Sequence, residues 1–472
     1  MDTNPGLTDQ SKIPLRRALG LFTSILLVAG TMIGSGVYKK IVPMAKTGLT
    51  ENWILAAWIL AGIITMCGAF ILAGLSSLTE ESGGVYEYLR LSFGNFFSFM
   101  FGWTDFTIIG TASIAAVGFI FSQTVNSLLP LPDPFAPLQH LSIGIIYPFA
   151  NSGVKILTIL MIILLTWINY LGVKKSGVMN NIVTSAKILG IVLLIFFGLF
   201  YLPVSGHSAG DRVPVIPLTG GSFFFNAIFA AMLNAFWAYD GWSNTSFITG
   251  EIKNPKRNVP IAIISGVCIA MLLYVLVNYV YMHVIPLNQI VALGENTIGA
   301  MAVAEVMIGK TGHLVIALLI IISVFSTMNA IIMTHSRIFF SMARERYFFP
   351  KAAHVHPVHR TPYISLLYTM IWSSILVVSG TFDILTNMVI FAGFFFYGLL
   401  AVALIKMKRK KIIKSKVVGY PLIPLVIILF SAALIINTIM EQPKQSFIGL
   451  LLMLTGIPFY YYFRKRAMRQ SV

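Results

Sequence analysis

The 472-residue chain is 57% apolar and only 10% charged, with a mean hydropathy of +0.84, a mix that excludes a soluble multidomain protein. Its net charge of +17 would suit nucleic acid only if the basic residues gathered on one folded face. They are instead parcelled out between apolar runs, which is the pattern of membrane topology.

Twelve apolar runs of about 20 residues, the length that crosses roughly 30 Å of hydrocarbon, begin near residues 15, 53, 96, 153, 178, 222, 259, 313, 363, 383, 420 and 446. An even number places both ends on one side. With the N-terminus inside, 25 of the 33 Lys and Arg fall on inner segments and seven on outer ones (Lys39, Lys40, Lys46, Lys155, Arg212, Lys310, Lys444), leaving Lys187 within a run. The positive-inside rule then makes both termini cytoplasmic, with tails at residues 1–14 and 466–472. The polar N-terminus carries no cleavable signal, so the first span is expected to start insertion.

The first span, "ALGLFTSILLVAGTMIGSGVYKKIV", holds Gly30, Gly34 and Gly36 near its middle, and each internal glycine costs a helix about 1 kcal/mol against alanine. These glycines either let another helix approach closely or break the span. Non-helical backbone at membrane depth survives only where it lines a cavity or is buried in protein. Cys67 and Cys268 fall inside spans and read as packing residues. Asp105, near the start of span three, is expected closer to the inner interface than to the site. Lys187, in "NNIVTSAKILGIVLLIFFG", is the lysine at mid-depth of span five. A buried ammonium costs at least about 2.5 kcal/mol and marks function by default.

Span six is interrupted at "YDGW", residues 239–242. Spans one and six would lead two five-span halves, residues 15–202 and 222–405, and breaks at matching places in two halves point to a transporter substrate site. An odd number of crossings between the leading helices makes the halves an inverted repeat. Amides of Gly34, Ser35 and Gly36 at the start of the second half-helix suit a carboxylate. Carbonyls near Thr31, Ile33, Trp237, Ala238 and Tyr239 suit an ammonium. Asp240 is either a counter-ion for a cationic side chain or an N-cap of the half-helix that follows; Ser243 and Asn244 would line the same pocket. Further on, residues 286–311 read as an external segment with a short helical lid, Asn329 as a cross-helix hydrogen-bonding group, residues 406–419 as a basic cytoplasmic loop, and residues 420–465 as two spans outside the five-plus-five core.

Four motifs carry a family resemblance: "GTMIGSGVY" (30–38), "ESGGVYEYLRLSFG" (81–94), "FWAYDGW" (236–242) with "GEIKNPKRNVPIAI" (250–263), and "STMNAIIMTHSRIFFSMARE" (326–345). In order and spacing they resemble the L-type amino acid transporters of the amino acid, polyamine and organocation superfamily, over nearly the whole chain. The resemblance implies an all-α, twelve-helix leucine-transporter-like fold with broken helices one and six, and a plasma-membrane exchanger of amino acids. In that family a lysine amine stands where sodium-coupled relatives bind a cation between spans one and eight. Lys187 matches it, with the Gly30 to Ile33 turn and Ser326 or Thr327 as its expected contacts. Trp237 matches an aromatic gate, and Glu251 with Arg337 or a nearby base suits a cytoplasmic ion-pair gate. In "WAYDGW" the chain is similar to the light chains of the cystine and dibasic type, which carry aspartate there. Residues 130–152 lack the cysteine that binds a heavy chain in animal members, so no disulfide-linked heavy chain is expected.

The nearest rival is a proton-coupled amino acid symporter with Lys187 exchanging protons. A membrane enzyme would need a nucleophile and base or a metal cluster inside the spans, whereas His354, His356 and His359 sit together in an inner loop. A nutrient sensor would carry a soluble output domain. No catalytic residue, cofactor, metal or nucleic-acid partner is therefore expected, only amino acid substrates and the bilayer.

Overall fold

Inside hydrocarbon every backbone N–H and C=O must find a partner within its own segment, so the apolar runs fold as helices. A computed structural model describes residues 17–142, 147–202, 221–294, 297–380 and 382–469. The tail at 1–14, the outer Arg212 and the last three residues lie outside them.

The broken first span forms α1 (Leu21–Met32) and α2 (Ser35–Lys39), the latter continued by α3 (Ile41–Ala45). α4 (Glu51–Leu75) is followed by a short helix α5 (Val85–Phe93) and then by α6 (Asn95–Thr104) and α7 (Gly110–Leu128), joined through a π-helical turn at Asp105–Ile109. α8 (Ser152–Tyr170) and α9 (Val173–Leu199) complete the first half of the chain. The second half opens with α10 (Gly221–Tyr239) and the single turn α11 (Asn244–Phe247), then α12 (Pro255–Val284), the short α13 (Leu287–Ala292) and α14 (Gly299–Arg344). α15 (Tyr363–Ser379), α16 (Phe382–Arg409), α17 (Leu422–Glu441), α18 (Pro443–Leu454) and α19 (Gly456–Arg469) follow.

Among the described residues ten helices are long and apolar enough to cross a membrane, and two shorter apolar ones, Phe224–Tyr239 and Tyr363–Ser379, stand where the sixth and ninth runs were expected. Two helices meet within α14, where Ile308 and Gly309 leave helical geometry and Gly309 takes φ 65°. A short helix of segment 286–311 therefore precedes a span that starts just beyond the kink, close to the run expected near 313. Part of segment 286–311 is thus helical, and its α13 packs on α3.

The two broken helices lie at the centre. α12 packs on both α1 and α4, α14 on α7 and α9, and α16 on α17, while the leucine- and phenylalanine-rich outer faces of α9 and α17 are exposed, as at Leu189, Phe197, Leu429 and Ile436. Close crossings use missing side chains. A Cβ on Gly266 of α12 would come within 2.5 Å of Val28 Cβ on α1.

Gly266→Leu is therefore expected to lower the thermal midpoint of the purified protein by overpacking, which costs about 1–3 kcal/mol. Gly20→Ala, where a Cβ meets nothing within 4 Å, serves as the neutral control. Equal midpoints for the two would contradict this packing.

Candidate functional site

α1 ends at Met32 because Ile33 (φ −74°, ψ 81°) and Gly34 (φ −128°, ψ −136°) leave helical geometry. α2 restarts at Ser35 with no side chain capping it. Space, more than backbone angle, fixes the glycines here. A Cβ on Gly34 would lie 2.9 Å from Thr327 Cγ2, and one on Gly36 would lie 2.5 Å from Ala238 Cα. The two breaks therefore touch.

The break in α1 turns carbonyls out of the helix, and Lys187 takes them. Its fully buried ammonium lies 2.6 Å from the Gly30 carbonyl, 2.7 Å from that of Ile33 and 3.0 Å from Thr327 Oγ1. The Thr327 hydroxyl is itself 2.9 Å and 3.1 Å from the same two carbonyls, and Ser323 Oγ is 3.1 Å from Ile33 O. Among the described residues no carboxylate pairs with Lys187. Two carbonyls and the Thr327 hydroxyl make an oxygen cage of the kind a small cation would occupy, filled here by an amine and braced by Ser323 on the Ile33 carbonyl. Ser326 stands differently from its expected place: its hydroxyl meets Thr184 Oγ1 at 3.3 Å and Asn180 Oδ1 at 3.4 Å. Residues four apart share a helix face, so Thr327 brings Ser323 with it and leaves Ser326 about 100° round.

In span six, Gly241 adopts φ 98°, a left-handed conformation that glycine tolerates and other residues resist. Thr31 Oγ1 bonds the Gly241 carbonyl at 3.0 Å, joining the two breaks directly. The Tyr274 hydroxyl of α12 lies 2.6 Å from Met32 O and 2.9 Å from Ala238 O, joining them again. Trp237 Nε1 donates to Ser35 Oγ at 3.3 Å. The Ala238 carbonyl thus lies beside a hydroxyl, and the Tyr239 side chain turns away from the first break, its hydroxyl bonding Trp58 O at 3.1 Å. Tyr274 was not singled out from sequence, since one tyrosine in an apolar run gives no signal of what it bridges.

Asp240 is half-buried on a pocket that it lines with Thr65, Tyr239, Trp242, Phe394 and Tyr397. The Tyr397 hydroxyl donates to its carboxylate at 3.3 Å. It does not cap the following half-helix: Ser243 stands at that N-cap, buried, and no side chain closes it. Among the described residues no lysine or arginine pairs with Asp240.

Beyond each end of the breaks lies a closure. On the side of the basic loops, Arg337 Nε meets Glu251 Oε1 at 2.7 Å with both side chains buried. The Glu251 carbonyl also accepts the amides of Ala18 and Leu19 at 3.0 Å, so one residue ties the start of α1 to α14. Arg17 and Lys256 flank Glu80 at 2.9 and 3.5 Å, and the Arg17 guanidinium holds its carboxyl below the usual carboxylate range. On the opposite side the Trp237 ring stands edge-on to Phe382 at 5.9 Å, and Lys39 and Lys40 lie over the Phe382 ring at 4.5 and 4.9 Å. Asn329 accepts from Asn169 at 2.8 Å across helices. No group of His, Cys, Asp and Glu among the described residues could hold a metal ion. One buried pair escaped the sequence reading, Asp105 with His335, because its members are 230 residues apart.

The family model described as "Amino acid permease" matches residues 19–462. The chain is 29% identical over 457 residues to the serine/threonine exchanger SteT of Bacillus subtilis (strain 168), covering 96% of this chain and 98% of that protein. It is 27% identical to the b(0,+)-type amino acid transporter 1 of Mus musculus, over 97% of this chain and 90% of that one. It is 28% identical to the large neutral amino acids transporter small subunit 2 of Mus musculus, over 98% and 84% of the two chains.

Because Tyr274 is buried between the two breaks, Tyr274→Phe removes the one hydroxyl proton that the Met32 and Ala238 carbonyls share, a loss that costs about 1–3 kcal/mol where no water replaces it. A lowered thermal midpoint of the purified variant is expected. An unchanged midpoint would mean that the hydroxyl does not join the breaks.

Proposed function

Because the chain belongs to the amino acid permease family, we propose that it is a sodium-independent exchanger of L-amino acids working by alternating access across the cell membrane. It is a multi-pass membrane protein of an amino acid transport family, and its relatives are transporters rather than enzymes. The proposal adds the coupling mode and the substrates, the plasma-membrane location with both termini cytoplasmic, and the leucine-transporter-like inverted repeat of residues 15–202 and 222–405. Residues 406–419 are its inner basic loop and 420–465 its peripheral pair of helices.

The observation that carries the reading is the Lys187 ammonium inside the oxygen cage of Gly30, Ile33 and Thr327. A tethered cation holds the bent first span in shape on every cycle, so no free sodium is needed to do so. The α-carboxylate of a substrate fits the amides of Ser35 and Gly36, that of Gly34 being turned to the Met32 carbonyl at 2.8 Å; they open a stretch that is helical through α2 and α3 with Lys40 between them. Its ammonium fits the carbonyl of Tyr239, that of Trp237 taking the Asp240 amide at 3.3 Å and that of Ala238 lying beside the Tyr274 hydroxyl. Trp237 serves as the outer gate, and Glu251 with Arg337 as the inner one. Asp240, half-buried and paired with no lysine or arginine among the described residues, offers the countercharge for a lysine- or arginine-type side chain, so that neutral and cationic amino acids are both carried.

The test is uptake of labelled leucine and arginine into proteoliposomes, preloaded or empty. Uptake is expected only into preloaded vesicles and unchanged when choline replaces sodium, whereas accumulation in empty vesicles under an inward pH gradient would establish a proton symporter instead. In preloaded vesicles Asp240→Asn is expected to lose arginine exchange about tenfold, equivalent to about 1.4 kcal/mol, and to keep leucine exchange. Equal losses for both substrates would remove the counter-ion role.

A further inference from the structure

The backbone of span three leaves α-helical geometry at Asp105–Ile109 for a π turn, a deviation found mostly at functional sites. It places the Asp105 carboxylate, fully buried, with Oδ1 2.9 Å and Oδ2 3.0 Å from Nδ1 of His335 on α14. Gly110, one turn on, leaves room for the pair, since a Cβ there would sit 2.9 Å from Asp105 Oδ2 and run into the imidazole. The other face of His335 packs on Phe247 of α11, with ring centroids 5.2 Å apart. The pair thus stands directly behind the half-helix that follows the span-six break.

The surrounding charges decide what the pair must hold. α6 and α11 bring no ionisable side chain to it. α16 brings Tyr397 and the span-six break brings Asp240, both within electrostatic reach of Asp105. Along α14, Arg337 is occupied by Glu251; on α9, Lys187 is held by the first break; on α5, Glu87 and Arg90 pair with each other. On α8, Lys155 is bound by the carbonyls of Tyr147, Pro148 and Val378, and on α2 Lys39 lies over Phe382. α15 offers Tyr363 and Tyr368, and Lys444 sits in the opening turn of α18. The cluster therefore has two acids, a tyrosine and a histidine. With imidazole neutral and carboxylate ionised, Asp105 and His335 would carry an uncompensated buried negative charge, which is expensive. One added proton makes the pair neutral overall, on either partner.

We propose that Asp105 and His335 form a proton-binding site, and that its bound proton permits the span-six half-helix to close against α14 during transport. Deprotonation leaves a net negative charge under Phe247 and opposes that closure, so the transport rate falls as pH rises. The proton stays with the pair and need not be carried. The inference rests on the transport reading, and the two fail differently.

The experiment measures the initial rate of labelled leucine exchange by the full chain in preloaded proteoliposomes, with the same pH on both sides. Between about pH 5.5 and 8.5 the native rate is expected to fall about tenfold as the proton is lost. His335→Gln, and the double variant Asp105→Asn with His335→Gln that removes both charges together, are expected to exchange at a rate that does not change with pH. A flat native profile with intact exchange overturns the proposal without any variant. So does a folded double variant that keeps the native pH profile. Absence of exchange at every pH would instead sink the transport reading.

Discussion

A lysine ammonium buried at membrane depth and a helix broken at the same depth are each unaffordable alone, and here each supplies what the other lacks. The break at Ile33 and Gly34 strands carbonyls that no helical amide can reach, and Lys187 donates to two of them. Conversely, the ammonium sheds its water only because those carbonyls and the Thr327 hydroxyl replace it. The glycines follow from the same constraint. Gly34 has to admit Thr327, and Gly36 has to admit the backbone of Ala238, so that the cage and the second break can meet.

From that point the structure spreads as a set of braces between elements that would have to move. Thr31 to Gly241 and Tyr274 to Met32 and Ala238 hold break to break. Glu251 holds the start of α1 through its carbonyl and α14 through its carboxylate. The braces near the breaks are uncharged hydrogen bonds, and the one at the end of the basic loops is a buried ion pair. Breaking such a pair leaves an uncompensated charge unless water enters, which ties the opening of that end to its hydration. The opposite end, closed by Trp237 on Phe382 with two lysines over the ring, is held by aromatic and cation–π contact. The two ends are thus opened by different physics.

Most of this frame was legible in the sequence because hydrocarbon penalises exceptions so heavily. The lysine in mid-span, the glycines of span one and the "YDGW" of span six stand out as departures that an apolar helix cannot carry without compensation. What stayed hidden depends on rotation and distance. Which hydroxyl of "ISVFST" meets the ammonium is set by the helical phase of α14, and that phase selects Thr327 over Ser326, with Ser323 on the Ile33 carbonyl beside it. Asp240 could be assigned to a cap or to a pocket only once Ser243 was seen at the N-cap. Asp105 and His335 read as two unrelated oddities until folding brought them together.

The most direct test of Lys187 as a fixed cation is leucine binding to the purified protein, titrated in sodium and in choline buffers, for the native chain and Lys187→Ala. Equal native affinity in both buffers, with binding abolished in the variant, is the expected result. Native affinity that depends on sodium, or a folded Lys187→Ala protein that binds leucine as the native one does, would contradict it.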